Sequence, residues 1–229
     1  MIKKTEFKAY DTILKEAGII AVRLNEGDEL VGVQLTDGDD DVLIVSARGQ
    51  AARFHEGAVR SQGRDTMGVK AMNLEAGDRV LALCIARDDE DLLVVTGNGY
   101  GKRTAISEYP RKGRPTKGVR TIKVSDRKGE LVTAQPVREG QELLLISLLG
   151  QVIRIQVAGI RRMGRSTEGV RLMVLQDDDS VSGVAPVEEG ANGNGDDDGA
   201  PEEPVGRPID ELLSDVTGDG DAEPGPGYS

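Results

Sequence analysis

The feature that most constrains the fold of this chain is a repeat of about fifty residues. Four glycines, with spacings of 50, 50 and 51 residues, each open a short apolar segment. These ruler glycines are Gly18, Gly68, Gly118 and Gly169. A second set, Gly49, Gly99 and Gly150, has spacings of 50 and 51. A fixed period of this length predicts an array of similar units that pack on their neighbours. We number the repeats one to four by their ruler glycines.

Within each repeat, short runs of Val, Ile and Leu are broken by Gly, Asp or Asn, which is typical of strands. The first strand follows the ruler glycine, and the second follows an acidic turn, as in residues 29–35 and 79–86. The third strand, at 42–45, 92–95 and 143–146, is almost wholly apolar and is expected to be the most buried. A tight turn then leads to the fourth strand. In repeat two this turn contains Asn98-Gly99, which predicts a hairpin with positive φ at both positions. Four strands per repeat predict one propeller blade.

The array is expected to be incomplete. Residues 2–5 match a fourth strand that lacks its first three strands, and repeat four ends near residue 187 without its third and fourth strands. Residues 6–17 replace a turn found in the other repeats and are expected to include a helical turn. The sequence therefore predicts an all-β, propeller-like array of about three to four blades over residues 1–187.

Charge is divided unevenly along the chain. The net charge is −11, yet residues 188–229 hold 13 acidic residues and one basic residue, which leaves about +1 for residues 1–187. This tail has too few apolar residues to fold and is predicted to be disordered. The tail is either a solubilising extension or an internal competitor for a basic surface. Residues 209–216 have the apolar spacing of a short helix.

A basic sequence precedes three of the four ruler glycines. Its pattern is Gly-Arg-x-Thr-x-Gly-Val-Lys/Arg, and it starts at Gly63, Gly113 and Gly164. One interpretation is structural, with glycine and threonine shaping the turn and arginine as an ordinary surface cation. Three copies in register favour a functional role instead, because strand geometry alone does not require cations at a fixed phase. Such a basic band suits the phosphate backbone of duplex DNA.

The candidate DNA-binding residues are the box cations and their repeated neighbours. They are Arg53, Arg60, Arg64, Lys70, Lys102, Arg103, Arg111, Lys112, Arg114, Lys117, Arg120, Arg154, Arg161, Arg162, Arg165 and Arg171.

The sequence offers few groups for catalysis. A single cysteine, Cys84, and a single histidine, His55, exclude multi-thiolate and paired-histidine metal sites. Cys84 lies in an apolar run and is expected to be buried and inert. We expect no catalytic residue, metal site or cofactor site in this chain. No apolar run has the length of a membrane span and no signal peptide is evident, which predicts a cytoplasmic protein with no membrane partner.

Three stretches carry a family resemblance: residues 18–33, residues 98–104 together with 108–110, and residues 116–119. Through them, residues 1–187 resemble the C-terminal domain of the DNA gyrase A protein. The resemblance implies the later blades of a six-bladed β-pinwheel, whose outer basic rim wraps DNA. It also implies a bacterial, nucleoid-associated protein that works with the rest of gyrase A and with gyrase B in an A2B2 enzyme. ATP and magnesium would be needed only by that complete enzyme, which introduces negative supercoils.

Two other interpretations stay open. The A protein of topoisomerase IV has a similar domain with fewer blades. From a different class, the propeller is a protein-interaction platform in which the basic boxes are structural turns and residues 209–216 form a partner helix.

Overall fold

The computed structural model describes residues 1–11 and 18–187, all of which fall in the first of two units of the chain, Met1–Glu189. The predicted tail and its helix lie outside the described residues. The strands are β1 (Asp41–Ser46), β2 (Gln50–His55), β3 (Val80–Ile85), β4 (Asp91–Thr96), β5 (Tyr100–Ala105), β6 (Val119–Arg120), β7 (Leu131–Val137), β8 (Glu142–Ser147), β9 (Val152–Gln156), β10 (Val170–Arg171) and β11 (Val181–Pro186). Short 3-10 helices span Phe7–Tyr10, Glu56–Ala58, Ile106–Glu108 and Val157–Gly159. No helix among the described residues is long and apolar enough to cross a membrane.

The strands form antiparallel sheets that each draw on successive repeats. The first sheet has the order β3-β1-β2-β6. Here β1 and β2 come from repeat one, β3 from repeat two and β6 from repeat three. The second sheet, β10-β5-β4-β7, has the same arrangement one repeat later, and the third, β11-β8-β9, has three strands. The predicted all-β fold with four-stranded blades is confirmed. The prediction that each repeat forms its own blade is wrong, because strands are exchanged between repeats.

The third strands form the core, as their apolar runs predict. All six residues of β1 and of β4 are buried, whereas β8 is buried only at alternate positions. Leu43, Leu92 and Leu131 are fully buried in one cluster that joins the first and second sheets. A strand that is covered on both faces needs apolar side chains on both, which accounts for the unbroken runs. Full burial of each such side chain contributes about 1.5–3 kcal/mol.

The hairpin turn of repeat two differs from the predicted one. Gly99 has a φ of 77°, and its amide donates to the Thr96 carbonyl over 3.0 Å. Asn98 does not have a positive φ. The prediction of positive φ at both residues is therefore wrong, since Gly99 alone supplies the left-handed conformation that closes the turn.

The ruler glycines allow close packing between repeats. Gly118 has a φ of 79°, and a Cβ there would clash with the carbonyl oxygen of Ala51 in β2. Gly169 would meet the Gly101 carbonyl of β5 at 2.7 Å. Each glycine therefore lets its repeat lie against a fourth strand two repeats earlier. Gly18 has a similar φ of 70°, but nothing lies within 4 Å of its Cβ position.

Repeat one is only partly built into a sheet. The structure has no strand over residues 18–40, and Leu30, Val33 and Leu35 are 57%, 73% and 78% exposed. Leu131 of β7 is the counterpart of Leu30 in repeat three, and it is fully buried. The strands predicted at 18–24 and 29–35 are absent because no described residue supplies their pairing partners. The predicted helical turn is present at Phe7–Tyr10, and residues 12–17 lie outside the described residues.

Candidate nucleic-acid interface

The basic boxes form the turns between each short 3-10 helix and the next ruler glycine. In two boxes the arginine donates to a carbonyl near the start of its own repeat, Arg64 Nη1 to Ile20 over 3.1 Å and Arg114 Nη1 to Lys70 over 3.3 Å. Both carbonyls lie two residues after a ruler glycine. Arg64, Arg114 and Arg165 are half-buried, and none has a carboxylate within 4.0 Å among the described residues. Arg64 and Arg114 thus occupy equivalent places, and each joins its box to the segment after the ruler glycine of the same repeat while staying partly accessible.

The box threonines bond locally. Thr66 Oγ1 donates to the Gly63 carbonyl over 3.0 Å, and Thr167 Oγ1 donates to the Gly164 carbonyl over 2.8 Å. Both contacts span three residues within the turn, so threonine shapes the box in the way expected for a structural role.

Two of the predicted DNA-binding arginines are buried in ion pairs. Arg53 Nε donates to Asp41 Oδ2 over 2.8 Å, and Arg103 Nη1 donates to Asp91 Oδ2 over 3.0 Å. Both arginines lie in fourth strands, and both aspartates open the third strand of the same hairpin. Because their charges are neutralised inside the blade, we exclude Arg53 and Arg103 from the interface.

The third buried cation of the predicted set is Lys102. Its Nζ donates to the carbonyls of Gly164 and Arg165 over 2.6 and 2.8 Å, and to Thr167 Oγ1 over 3.0 Å. Burial, assisted by the nearby Arg165, lowers the pKa of Lys102 to about 8 against the opposing effect of Glu108. Lys102 therefore anchors the third box from inside, and we exclude it from the interface as well.

Three further cations of the predicted set are exposed, but each forms an ion pair with the acidic residue at the start of a third strand. These contacts are Arg111 Nε to Asp41 Oδ2 at 3.0 Å, Arg162 Nη2 to Asp91 Oδ1 at 2.9 Å and Arg154 Nε to Glu142 Oε2 at 2.6 Å. A phosphate that approached them would compete with a carboxylate already in place.

The remaining seven cations are exposed and have no carboxylate within 4.0 Å among the described residues. They are Arg60, Lys70, Lys112, Lys117, Arg120, Arg161 and Arg171. All belong to the boxes or to the residues that immediately precede them. These side chains are the ones available to neutralise phosphates.

A cluster beside Arg171 was not predicted from the sequence. The Tyr100 hydroxyl accepts hydrogen bonds from Arg171 Nη2 over 2.9 Å and from Arg127 Nη2 over 3.4 Å. These two hydrogen bonds lower the pKa of Tyr100 to about 8. Arg127, Lys128 and Arg171 lie 5.8, 5.0 and 5.4 Å from the ring centroid. The length of the turn that carries Arg127 could have revealed the cluster, since it is longer than the same turn in other repeats.

A carboxylate cluster at Asp37, Asp40 and Glu56 has the proximity of metal ligands, with oxygen atoms within 4.8 Å of one another. Glu56, however, accepts from the amides of Gly38 and Asp40 over 2.8 and 3.0 Å and pairs with Lys4 Nζ at 2.6 Å. Burial opposes ionisation of Glu56, but these contacts outweigh it and lower its pKa to about 2. Glu56 thus holds the loop before β1 in place through these hydrogen bonds. Because its carboxylate oxygens are already occupied, Glu56 is a poor metal ligand.

Cys84 is buried among apolar side chains, as expected. Burial, with the nearby Glu90, raises the pKa of its thiol to about 12, so the thiolate is disfavoured.

A family model described as DNA gyrase C-terminal domain, beta-propeller, matches residues 1–37, 40–83, 90–138 and 141–188. The DNA gyrase A protein of Clostridium acetobutylicum is 49% identical over 187 residues, covering 82% of this chain and 22% of that protein. The Escherichia coli protein is 42% identical over 212 residues, covering 88% and 24%. The chain therefore spans about a quarter of the length of these relatives.

Solved structures show the same fold. A DNA gyrase A C-terminal domain is 30% identical with a TM-score of 0.68, covering 75% of this chain and 58% of that one. The C-terminal domain of a DNA topoisomerase IV is 27% identical with a TM-score of 0.76, covering 82% and 59%. The exchanged four-stranded blades and the repeated basic turns agree with these matches. The chain belongs to the DNA gyrase C-terminal domain family, a β-pinwheel of the propeller class.

Proposed function

We propose that this chain is the DNA-binding and wrapping part of a DNA gyrase A protein, and that its repeated basic turns bind the phosphates of duplex DNA. One observation carries the proposal. The residue two places after the ruler glycine is an exposed cation in three successive repeats, at Lys70, Arg120 and Arg171. None of them is engaged by a carboxylate within 4.0 Å among the described residues.

Phosphate binding follows from the chemistry of these turns. Exposed arginine and lysine side chains displace the counterions of the duplex, which supplies affinity that is independent of sequence. Contacts to the backbone fix the path of the duplex but do not identify bases. A scaffold that repeats the same turn in successive repeats is suited to a long, uniform polyanion. The proposal is therefore binding with little sequence preference.

The complete enzyme of this proposal supplies what the chain does not. The rest of gyrase A would cleave and rejoin DNA, and gyrase B would hydrolyse ATP with magnesium in an A2B2 assembly. In that enzyme the chain presents a wrapped segment for strand passage, which leads to negative supercoils. Its own contribution is binding, and we assign no catalytic residue to it.

Charge reversal within one box tests the proposal. We expect Lys117→Glu with Arg120→Glu to weaken binding to a linear duplex severely, because two phosphate contacts become repulsive. Arg87→Glu is the matched control, since Arg87 is also exposed but lies in a turn outside the boxes. Affinity would be measured by gel-shift titration, with circular dichroism to verify folding. An affinity that is the same in both variants would refute DNA binding by the boxes and favour the protein-interaction platform.

The A protein of a topoisomerase IV is the second candidate, favoured by the TM-score of 0.76 with a topoisomerase IV C-terminal domain. The two candidates differ in the reaction of the complete enzyme. Assembled with its partners, a gyrase introduces negative supercoils into relaxed DNA, and an assembly that only relaxes DNA would favour topoisomerase IV.

A further inference from the structure

One blade carries two features that the other repeats lack. The first is an aromatic residue at the start of its fourth strand, where Tyr100 replaces Gln50 and Gln151 of the neighbouring repeats. The second is a longer turn in repeat three. From the ruler glycine to the next residue with positive φ, the distance is 11 residues between Gly118 and Gly129. It is nine residues for Gly18 and Gly27, Gly68 and Gly77, and Gly169 and Asp178. Since the other repeats fold without these features, the blade architecture does not require them.

The two features meet in space. The longer turn contains Arg127 and Lys128, and strand exchange places Arg171 of β10 opposite Tyr100 of β5. The phenol is therefore flanked by cations from repeats three and four, and its hydroxyl accepts from both guanidinium groups.

Lys128 has a structural role within this cluster. Its side chain is 7% exposed, and its Nζ donates to Glu168 Oε2 over 2.9 Å and to the Glu168 carbonyl over 3.1 Å. Its charge is thus neutralised within the protein, and Arg127 and Arg171 are the cations that remain.

Arg127 and Arg171 are both exposed, and neither has a carboxylate within 4.0 Å in the part of the chain that the structure describes. Two like charges that converge on one oxygen atom repel each other, and an anion between them would remove that repulsion. Guanidinium groups are the side chains best suited to bind phosphate oxygens through paired N–H donors. The arrangement fits a single phosphate group.

Nearby acidic side chains limit the directions from which a phosphate can approach Arg127 and Arg171. Asp177, Asp178 and Asp179 line the same 330 Å³ pocket as Tyr100, Arg127 and Arg171. Asp179 Oδ1 accepts from the amides of Leu149 and Ser180 over 3.1 and 2.8 Å, so this carboxylate is held in its own turn. The other two repel an anion from the interior of the pocket. A phosphate therefore reaches the guanidinium groups from their solvent side.

We propose that Arg127, Arg171 and the Tyr100 hydroxyl bind one phosphodiester of duplex DNA, as a contact added to those of the basic boxes. Arg127 and Arg171 donate to the phosphate oxygens, and the phenol holds the two guanidinium groups at a fixed separation and donates its own proton to the phosphate. The inference rests on the proposed function and extends it to Arg127 and Tyr100.

Salt titration of duplex binding by the full chain tests the inference. Each phosphate contact contributes about 0.9 to the slope of log affinity against log salt concentration. We expect Arg127→Gln to lower that slope by about 0.9, and Arg127→Lys, which keeps the charge, to retain most of it. Tyr100→Phe keeps the ring but removes the hydroxyl, and we expect weaker binding with unchanged thermal stability. Arg87→Gln is the control and should leave the slope unchanged.

The outcomes separate the inference from the function on which it rests. If the double box variant Lys117→Glu with Arg120→Glu loses affinity but Arg127→Gln keeps the parent slope, the added contact is refuted and DNA binding by the boxes stands. If Arg127→Gln lowers the slope but Tyr100→Phe binds like the parent, the role of the hydroxyl is refuted. If no variant changes binding, both proposals fail.

Discussion

At the scale of single residues, Gly118 and Gly18 hold the same place in the repeat but differ in their surroundings. Both have positive φ, which costs an L-residue about 1–2 kcal/mol. Only at Gly118 would a Cβ also clash with a backbone carbonyl. Overpacking of this kind costs about 1–3 kcal/mol more.

We therefore expect Gly118→Ala to lower the free energy of unfolding by about 1–3 kcal/mol more than Gly18→Ala does. Urea denaturation followed by circular dichroism measures the difference. Equal losses in the two variants would show that the contact between Gly118 and β2 is not formed in solution.

The lowered pKa of Glu56 makes the free energy of unfolding depend on pH in the acid range. Its pKa is about 2 in the folded protein, below the ordinary 4.5, so the folded state favours the carboxylate. The resulting stabilisation is present above pH 4.5 and is lost as the pH falls towards 2. We expect Glu56→Gln to be less stable near neutral pH and to show a flatter decline over this acid range. Thermal unfolding at a series of pH values measures both effects, and parallel curves would contradict the assignment.

Cations recur at equivalent positions of successive repeats for two different physical reasons. The sequence alone does not show which reason applies to a given cation. Arg53 and Arg103 recur because the third strand of each hairpin opens with an aspartate that they neutralise. The prediction that the fold itself requires no cation is wrong at these two positions. The acidic partner lies 12 residues away along the chain and becomes a neighbour only in the hairpin. Lys70, Arg120 and Arg171 have no such partner among the described residues.

At the scale of elements, residues 29–35 and β3 are equivalent second strands with different partners. The β3 strand pairs with β1 along its length. Residues 29–35 make no backbone hydrogen bond in the described part of the chain. We expect their amides to exchange with solvent much faster than those of β3, because unpaired amides lack protection. Hydrogen–deuterium exchange with mass spectrometry measures this, and comparable protection would mean that the segment is paired in solution.

The sequence predicts the third and fourth strands well, because their apolar runs and turns are local. It does not predict which repeat supplies the partner of each strand. The first strands at 119–120 and 170–171 are only two residues long, and each pairs with a fourth strand two repeats earlier. The Tyr100 cluster could not be predicted for the same reason, as its members belong to three different repeats.

At the scale of the whole molecule, the charge of the chain is divided between a nearly neutral array and an acidic tail. Residues 188–229 carry 13 acidic residues and one basic residue. Of the two interpretations of this sequence, the one that makes it an internal competitor for a basic surface predicts an effect on DNA binding. We expect deletion of residues 188–229 to strengthen duplex binding. A gel-shift titration of the full and shortened chains measures the change, and unchanged or weaker binding would refute competition by the tail.

The central claim is that exposed cations of the repeated turns bind duplex phosphates. Its most direct test is the affinity of the full chain for a linear duplex over a range of salt concentrations. We predict a steep linear fall of log affinity with log salt, with a slope that decreases when Lys117 and Arg120 are replaced by glutamate. An affinity that does not change with salt in the parent chain would contradict the account.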